Sequence, residues 1–358
     1  MFRSSRTIAS LIHALMFGTT ATLGLATVTT TLVGCKDESQ PDYWVDKLED
    51  PSWRPRAVKR LEQFFEDALT KANKNMDDPQ VKALLDKVTV PLTNTYTNYY
   101  DDLDTKTRVS LIKLLSAFRD PRTEPAIKKA FEEFAKRPKS SKDEQDIKWA
   151  ARATRELKLS SVSGPMLDAF EKMKTHTMLG GIVYRDLNEA MLAAPNKSWS
   201  GRLQKMLERE IKPPGSAKDT TAVESFRDEL FWQTTAAQLL GELEDPAAVE
   251  PLIKVLLDPA KVDVHTTALL ALVKIGKPVV GEAVQLLQGK KGALEAFSAR
   301  ATKAATGEKV DPKDETYKSI AALILGTIGR PEALFVTRNF RRCQYLNGSG
   351  SGGLAARS

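Results

Sequence analysis

Ala236-Ala237-Gln238-Leu239-Leu240-Gly241-Glu242-Leu243-Glu244-Asp245-Pro246-Ala247-Ala248-Val249-Glu250-Pro251-Leu252 decides the fold of this 358-residue chain. Leu239, Leu240 and Leu243 recur at helical spacing, Asp245 and Pro246 end that helix and open another, and Val249 and Leu252 begin a second apolar stripe. Ala236 and Ala237 are small enough for a close helix contact, and Gly241 relieves crowding near the helix end. One amphipathic helix of this length cannot bury its stripe alone, so a neighbouring unit has to complete the contact.

Similar stretches lie on either side. Leu114-Leu115-Ser116-Ala117-Phe118-Arg119-Asp120-Pro121 runs into Pro125-Ala126-Ile127, and Leu325-Gly326-Thr327-Ile328-Gly329-Arg330-Pro331 opens a last helix. The turn prolines 121, 246 and 331 are 125 and 85 residues apart, close to three and two units of about 42 residues. Fainter echoes stand at 156–167, with Gly164-Pro165, and at Ala193-Ala194-Pro195. Val109, Ile112, Leu115 and Phe118 make one helical stripe and Ile127, Phe131 and Phe134 the next, and strand alternation is absent.

Over 234–276 the chain resembles HEAT repeats of the short prokaryotic kind, whose core reads Ala-Ala-x-Leu-Leu-Gly-x-Leu-x-Asp-Pro-x-Ala-Val-x-Pro-Leu. The resemblance implies an all-α fold without a sheet. That fold is an α-solenoid of HEAT-like helix pairs in which each pair touches its neighbours and the second helices line a concave binding surface. The expected organisation is a leader at 1–34, a polar tether at 35–43, an N-terminal helical cap at 44–102, HEAT-like repeats over 103–342 and a Gly/Ser-rich disordered tail at 343–358. Three stretches depart from the repeat and are where specificity is expected: the polar loops 136–145 and 212–221, and the basic, alanine-rich segment 289–314.

The address is read at the other end. Arg3 and Arg6 precede a stretch of about 26 mostly apolar or small residues, 8–33, and no acid stands before Asp37. Leu32-Val33-Gly34-Cys35 closes the run and resembles a lipobox, which makes Cys35 the lipidated first residue of a bacterial lipoprotein. Several acyl chains hold a protein on a bilayer firmly, whereas one is marginal. An uncleaved transmembrane anchor is the competing reading, since the run is long enough to span about 30 Å of hydrocarbon. Lys36 is not the aspartate that resembles an inner-membrane retention signal, so the outer membrane is preferred, with a periplasmic or surface-exposed body. Of two cysteines only Cys343 remains for the body, which excludes a disulfide-stapled domain. The net charge of +7 falls to +5 without the leader, a mild surplus, and an exported protein seldom meets nucleic acid.

Catalytic signatures are scarce. His176 and His265 are far apart without metal-ligand spacing, and His265 is expected to be a satisfied structural histidine at a helix start. Gly180-Gly181 is expected as a helix break and lacks the glycine and lysine of a phosphate loop. Asp101-Asp102-Leu103-Asp104 lacks the glycine and terminal glutamate of a calcium loop. No serine stands in a Gly-x-Ser-x-Gly elbow, so neither a metal nor a cofactor is expected.

On second helices, Lys128, Glu132 and Lys136 fall at i, i+4 and i+8, Lys205 and Arg209 share another face, and Lys254 holds the matching side of the best repeat. These six are expected to form a mixed, mostly basic ridge that binds an acidic protein partner. The expected function is a lipid-anchored, non-enzymatic protein-binding scaffold of the cell envelope. The alternative is an enzyme on the same fold, a lyase or hydrolase with placed carboxylates in the concave cleft.

Overall fold

In the computed structural model the described residues are 37–136, 144–175, 180–307 and 315–329, and among them are helices and turns but no strand. The helices are α1 (Pro41–Asp46), α2 (Arg54–Lys71), α3 (Pro79–Asn98), α4 (Thr105–Phe118), α5 (Glu124–Lys136), α6 (Glu144–Leu157), α7 (Ser163–Lys172) and α8 (Gly180–Ala193). They continue as α9 (Ser200–Leu207), α10 (Thr220–Leu243), α11 (Val249–Leu256), α12 (Val262–Ile275), α13 (Lys277–Leu287), α14 (Gly292–Thr306) and α15 (Thr316–Ile328). Cys35 and its lipobox, His176, Pro331 and Cys343 lie outside the described residues.

A repeated local device divides the four helix pairs from α4 to α11. In single-turn 3-10 segments, Asp120 accepts from the Arg122 amide at 2.9 Å, Asn196 from Ser198 at 2.9 Å, and Asp245 from Ala247 at 3.0 Å. Each carboxylate or amide oxygen satisfies a donor that the incoming helix leaves orphaned. With the segment at Ser160–Val162, these turns begin at 121, 160, 197 and 246, so the units are 39, 37 and 49 residues long. The two faint sequence echoes are therefore full repeat turns. Asp245 also accepts the Ser200 hydroxyl from the preceding unit. Asp245→Ala should cost about 1 kcal/mol, as lost caps do, read by urea denaturation.

The pairs stack in two layers. In the first, α2, α4, α6, α8, α10, α12 and α15 each pack on the next; in the second, α3 meets α5, α5 meets α7, and α9 meets α11. All belong to one compact unit that starts at Glu38, with a continuous apolar core through Trp44, Leu61, Tyr96, Phe118, Phe131, Phe170, Trp199 and Leu240. The all-α solenoid of HEAT-like pairs expected from the sequence is the observed architecture. Residues 44–102, expected as a cap, contain α2 and α3, which stack on α4 and α5 as a further pair. The segment 289–314 contains the helix α14, and Gly180 opens α8.

Ion pairs tie successive first-layer helices at near-repeat spacing. Arg108 meets Asp146 at 2.5 Å, Arg119 meets Glu156 at 2.7 Å, Arg152 meets Asp186 at 3.0 Å, and Arg155 and Lys274 contact Glu189 and Glu242. Between α8 and α10 the helix contact is short, and side chains of the long α10 bridge it. Phe231 packs against Tyr184 at 4.0 Å and Phe170 at 5.7 Å, and the Trp232 indole donates to the Phe170 carbonyl at 3.2 Å. Buried Asp228 accepts from the Thr175 amide and hydroxyl at 2.7 and 2.8 Å and pairs with Lys174 at 3.2 Å.

Candidate binding face

The six residues picked from the sequence all lie on second-layer helices or their ends, and α5, α9 and α11 present them. Lys128 sits 3.9 Å from Glu132, Lys254 is 2.8 Å from Glu250, and Arg209 is 4.0 Å from Glu229. Lys136 reaches Glu133 at 3.3 Å, which Lys129 also meets at 2.9 Å. Burial opposes the Glu133 charge, yet the two lysines hold its carboxyl below the ordinary value. Exposed Lys205 has no ion pair among the described residues. The ridge is thus mixed and largely charge-paired, because acids one helical turn away, and for Arg209 an acid on α10, stand beside its cations.

Two grooves open on this face, and they divide the six. The first, of about 390 Å³, lies between α5 and α7, with Glu132, Lys136, Asp168, Glu171 and Lys172 on its walls. Arg202 of α9 clamps Asp168 at 2.7 Å and Glu171 at 2.8 Å, so these neighbouring carboxylates share one guanidinium. The second, of about 450 Å³, lies between the end of α9, α11 and α14. Arg209 and Lys254 line it together with Lys261, Phe297 and Arg300. Lys128 and Lys205 border neither groove.

Lys261, Phe297 and Arg300 were not picked from the sequence. Phe297 and Arg300 fall in the segment 289–314, whose departure from the repeat was the available signal. Lys261 carried none, since its position depends on a carbonyl 54 residues earlier. Its ammonium is buried and donates to the Leu207 carbonyl at the end of α9, where a cation meets the negative end of the helix dipole. Burial pushes the Lys261 pKa down, against the opposing pull of Asp258, Glu229 and Glu208.

The remaining candidates take structural places. His265 is half-buried with Nε2 at 3.0 Å from the Asp258 carbonyl. Asp104 caps α4, accepting from the Thr107 amide at 3.0 Å and hydroxyl at 2.6 Å, bonds that hold its carboxyl below the ordinary value. The most buried carboxylates, Asp146, Asp186 and Asp228, meet cations between helices and line neither groove. Among the described residues no group of three or more His, Cys, Asp or Glu is placed to hold a metal ion, and no helix is long and apolar enough to cross a membrane.

No curated protein matches the chain. Residues 232–258, the second half of α10 through α11, match the PBS lyase HEAT-like repeat, so the chain carries a HEAT-like repeat at this helix pair.

Proposed function

We propose that this protein is a non-enzymatic scaffold of the bacterial cell envelope, held to a membrane by lipid on Cys35 and binding a protein partner along its second helices. The observation that carries the reading is the second-helix face itself: two open grooves lined by exposed charged side chains on a HEAT-like array. Stacked repeats suit this task, since each adds surface while contacting only its neighbours. The lipid anchor rests on the arginine-flanked apolar leader and Leu32-Val33-Gly34-Cys35. Outer-membrane placement rests on Lys36.

A photo-crosslinking residue placed in turn at Lys128, Lys205 and Lys254, in intact cells, should capture a discrete partner identified by affinity purification and mass spectrometry. Combined Lys205→Glu, Arg209→Glu and Lys254→Glu should weaken that capture, and undiminished capture would count against the ridge. Cys35→Ser should abolish acylation and move the protein from the membrane to the soluble fraction. Retention of the variant with an intact leader would instead identify a spanning anchor.

A further inference from the structure

We propose that the α1–α2 end of the array is a membrane-contact surface, on which Tyr43 and Trp53 sit at the headgroup level of a phospholipid bilayer. The inference rests on the lipid anchor proposed above and names the surface that this anchor brings to the membrane.

The tether has almost no slack. Glu38 is already held by the body, since its carbonyl accepts the indole N–H of buried Trp44 at 2.7 Å. Three peptide links join Cys35 to Glu38, and with about 3.8 Å between successive Cα atoms they reach about 11 Å at most. Acyl chains on Cys35 keep that residue at the bilayer surface, so the part of the body around Glu38 cannot stand clear of the headgroups.

A cluster of rings and cations surrounds that point. The Tyr43 hydroxyl reaches the Glu38 carboxylate at 3.5 Å, and its ring meets Trp44 edge-on at 5.1 Å. Lys47 Nζ stands 5.3 Å from the centre of the Tyr43 ring and 5.2 Å from that of Trp53, while the Arg56 guanidinium lies 5.3 Å from Trp53 and 5.5 Å from Trp44. These distances place the five side chains on one patch. Trp44 closes the core, whereas Tyr43 and Trp53 are left half-buried at its edge, and the Trp53 indole N–H has no hydrogen-bond partner among the described residues. The turn that carries Trp53 is fixed, because buried Arg54 donates to the Leu48 carbonyl at 2.8 Å and to the Glu49 carbonyl at 3.3 Å.

Tyrosine and tryptophan favour the headgroup zone because one end of each side chain is apolar and the other carries a polar group. Lysine and arginine complete the set, laying their stems on apolar surface and placing their charge among the phosphates. Net charge is not what draws this end to lipid. Residues 38–60 carry five acids and five lysines or arginines, so an anionic bilayer has no advantage over a zwitterionic one.

The test uses the full chain purified from bacterial membranes with its acyl group and reconstituted into phosphatidylcholine vesicles. Cys343→Ser removes the other thiol, and a fluorophore is placed on Lys59→Cys, exposed on α2, or on Lys205→Cys, exposed on α9 three helix pairs further along. Lipid spin-labelled near the headgroup should quench the probe at 59 and leave the probe at 205 unquenched. A Gly/Ser insert of about 20 residues between Lys36 and Asp37, with an r.m.s. span of about 25 Å, separates contact from confinement. With the insert in place, quenching at 59 should persist, Trp53→Ser should lose most of it and Trp53→Tyr should keep it. Arg56→Glu, at an exposed position, should reduce it with an unchanged urea midpoint, which guards against a folding defect in Trp53→Ser. Loss of quenching on lengthening the tether overturns the proposal, because the tether alone would then hold this end near lipid. Equal quenching at 59 and 205 overturns it, and so does quenching at 59 that appears only when phosphatidylglycerol is added. Mass spectrometry of the same preparation keeps the two readings apart. An acylated Cys35 without quenching at 59 sinks this inference and spares the anchor, whereas an unacylated Cys35 sinks the anchor and this inference with it.

Discussion

Arg108→Met should destabilise the N-terminal half of the array by about 3–5 kcal/mol, the range for removing one partner of a buried ion pair. Arg108 and Asp146 are almost wholly buried, and the guanidinium Nε donates to Asp146 Oδ2 at 2.5 Å. The Tyr96 and Tyr100 hydroxyls donate to the same oxygen at 3.0 and 3.2 Å. Asp146 Oδ1 has no hydrogen-bond partner among the described residues. Burial pushes the Asp146 pKa up against the pull of Arg108, and it pushes the Tyr96 hydroxyl well up as well. Without Arg108 the carboxylate keeps its desolvation cost and loses its counter-charge.

Two companion variants identify the cause. Tyr96→Phe removes one hydrogen bond to an ionised group and should cost about 1.5–3 kcal/mol. The double variant Arg108→Met with Asp146→Leu removes both charges and should recover much of the loss, as buried pairs replaced by apolar residues often do. With Asp146→Leu measured alone as well, urea melts of the wild type, the two single variants and the double give the Arg108–Asp146 coupling energy. If Arg108→Met and the double variant are equally unstable, packing by the arginine stem, and not the unpaired charge, is what the site requires.

Gly241→Ala is the second large effect. A Cβ at Gly241 would stand 2.8 Å from Ala271 Cα and 2.9 Å from Ala271 Cβ, and neither atom is the movable end of a side chain. Helices α10 and α12 would have to separate, an overpacking cost of about 1–3 kcal/mol. In a stacked array the damage falls on one junction. The expected melt is therefore less cooperative, with α12 to α15 released before the rest. Gly326 occupies the corresponding place in Leu325-Gly326, yet an added Cβ there meets nothing within 4 Å among the described residues. Gly326→Ala should thus stabilise by about 0.5–1 kcal/mol through helix propensity alone. The same substitution at matching positions should change sign. Equal effects at the two glycines would show that their helical setting, and not the approach of α12, governs the outcome.

Much of the fold was legible because its instructions are local. The run from Ala236 to Leu252 carries an apolar stripe, a capping aspartate and a helix-opening proline within one repeat, and each acts over a few residues. The two middle units were faint for an equally physical reason. At 196 an asparagine followed by Lys197 makes the turn that Asp245 and Pro246 make elsewhere, and at 160 the turn forms without a side-chain cap. The turn geometry admits several residue types, so a pattern keyed to Asp-Pro passes over them.

The binding face was legible only in outline. Helical spacing placed Lys128, Glu132, Lys136, Lys205, Arg209 and Lys254 on second helices, but it could not tell which would share a groove or which charges neighbours would cancel. Arg202 illustrates the gap, because it answers Asp168 and Glu171 from the next unit. Lys261 does too, since it reads as a surface lysine and is buried under the end of α9.

From the sequence alone came the helix-pair unit, its length of about 42 residues and the absence of strand patterning, all consequences of contacts within a few turns of chain. The tertiary structure alone decided that α14 walls a groove with α9 and α11, that Arg108 and Asp146 meet in the core, and that Gly241 is crowded where Gly326 is open. Those outcomes depend on distances between residues tens of positions apart, which stacking of the pairs sets and no local pattern encodes.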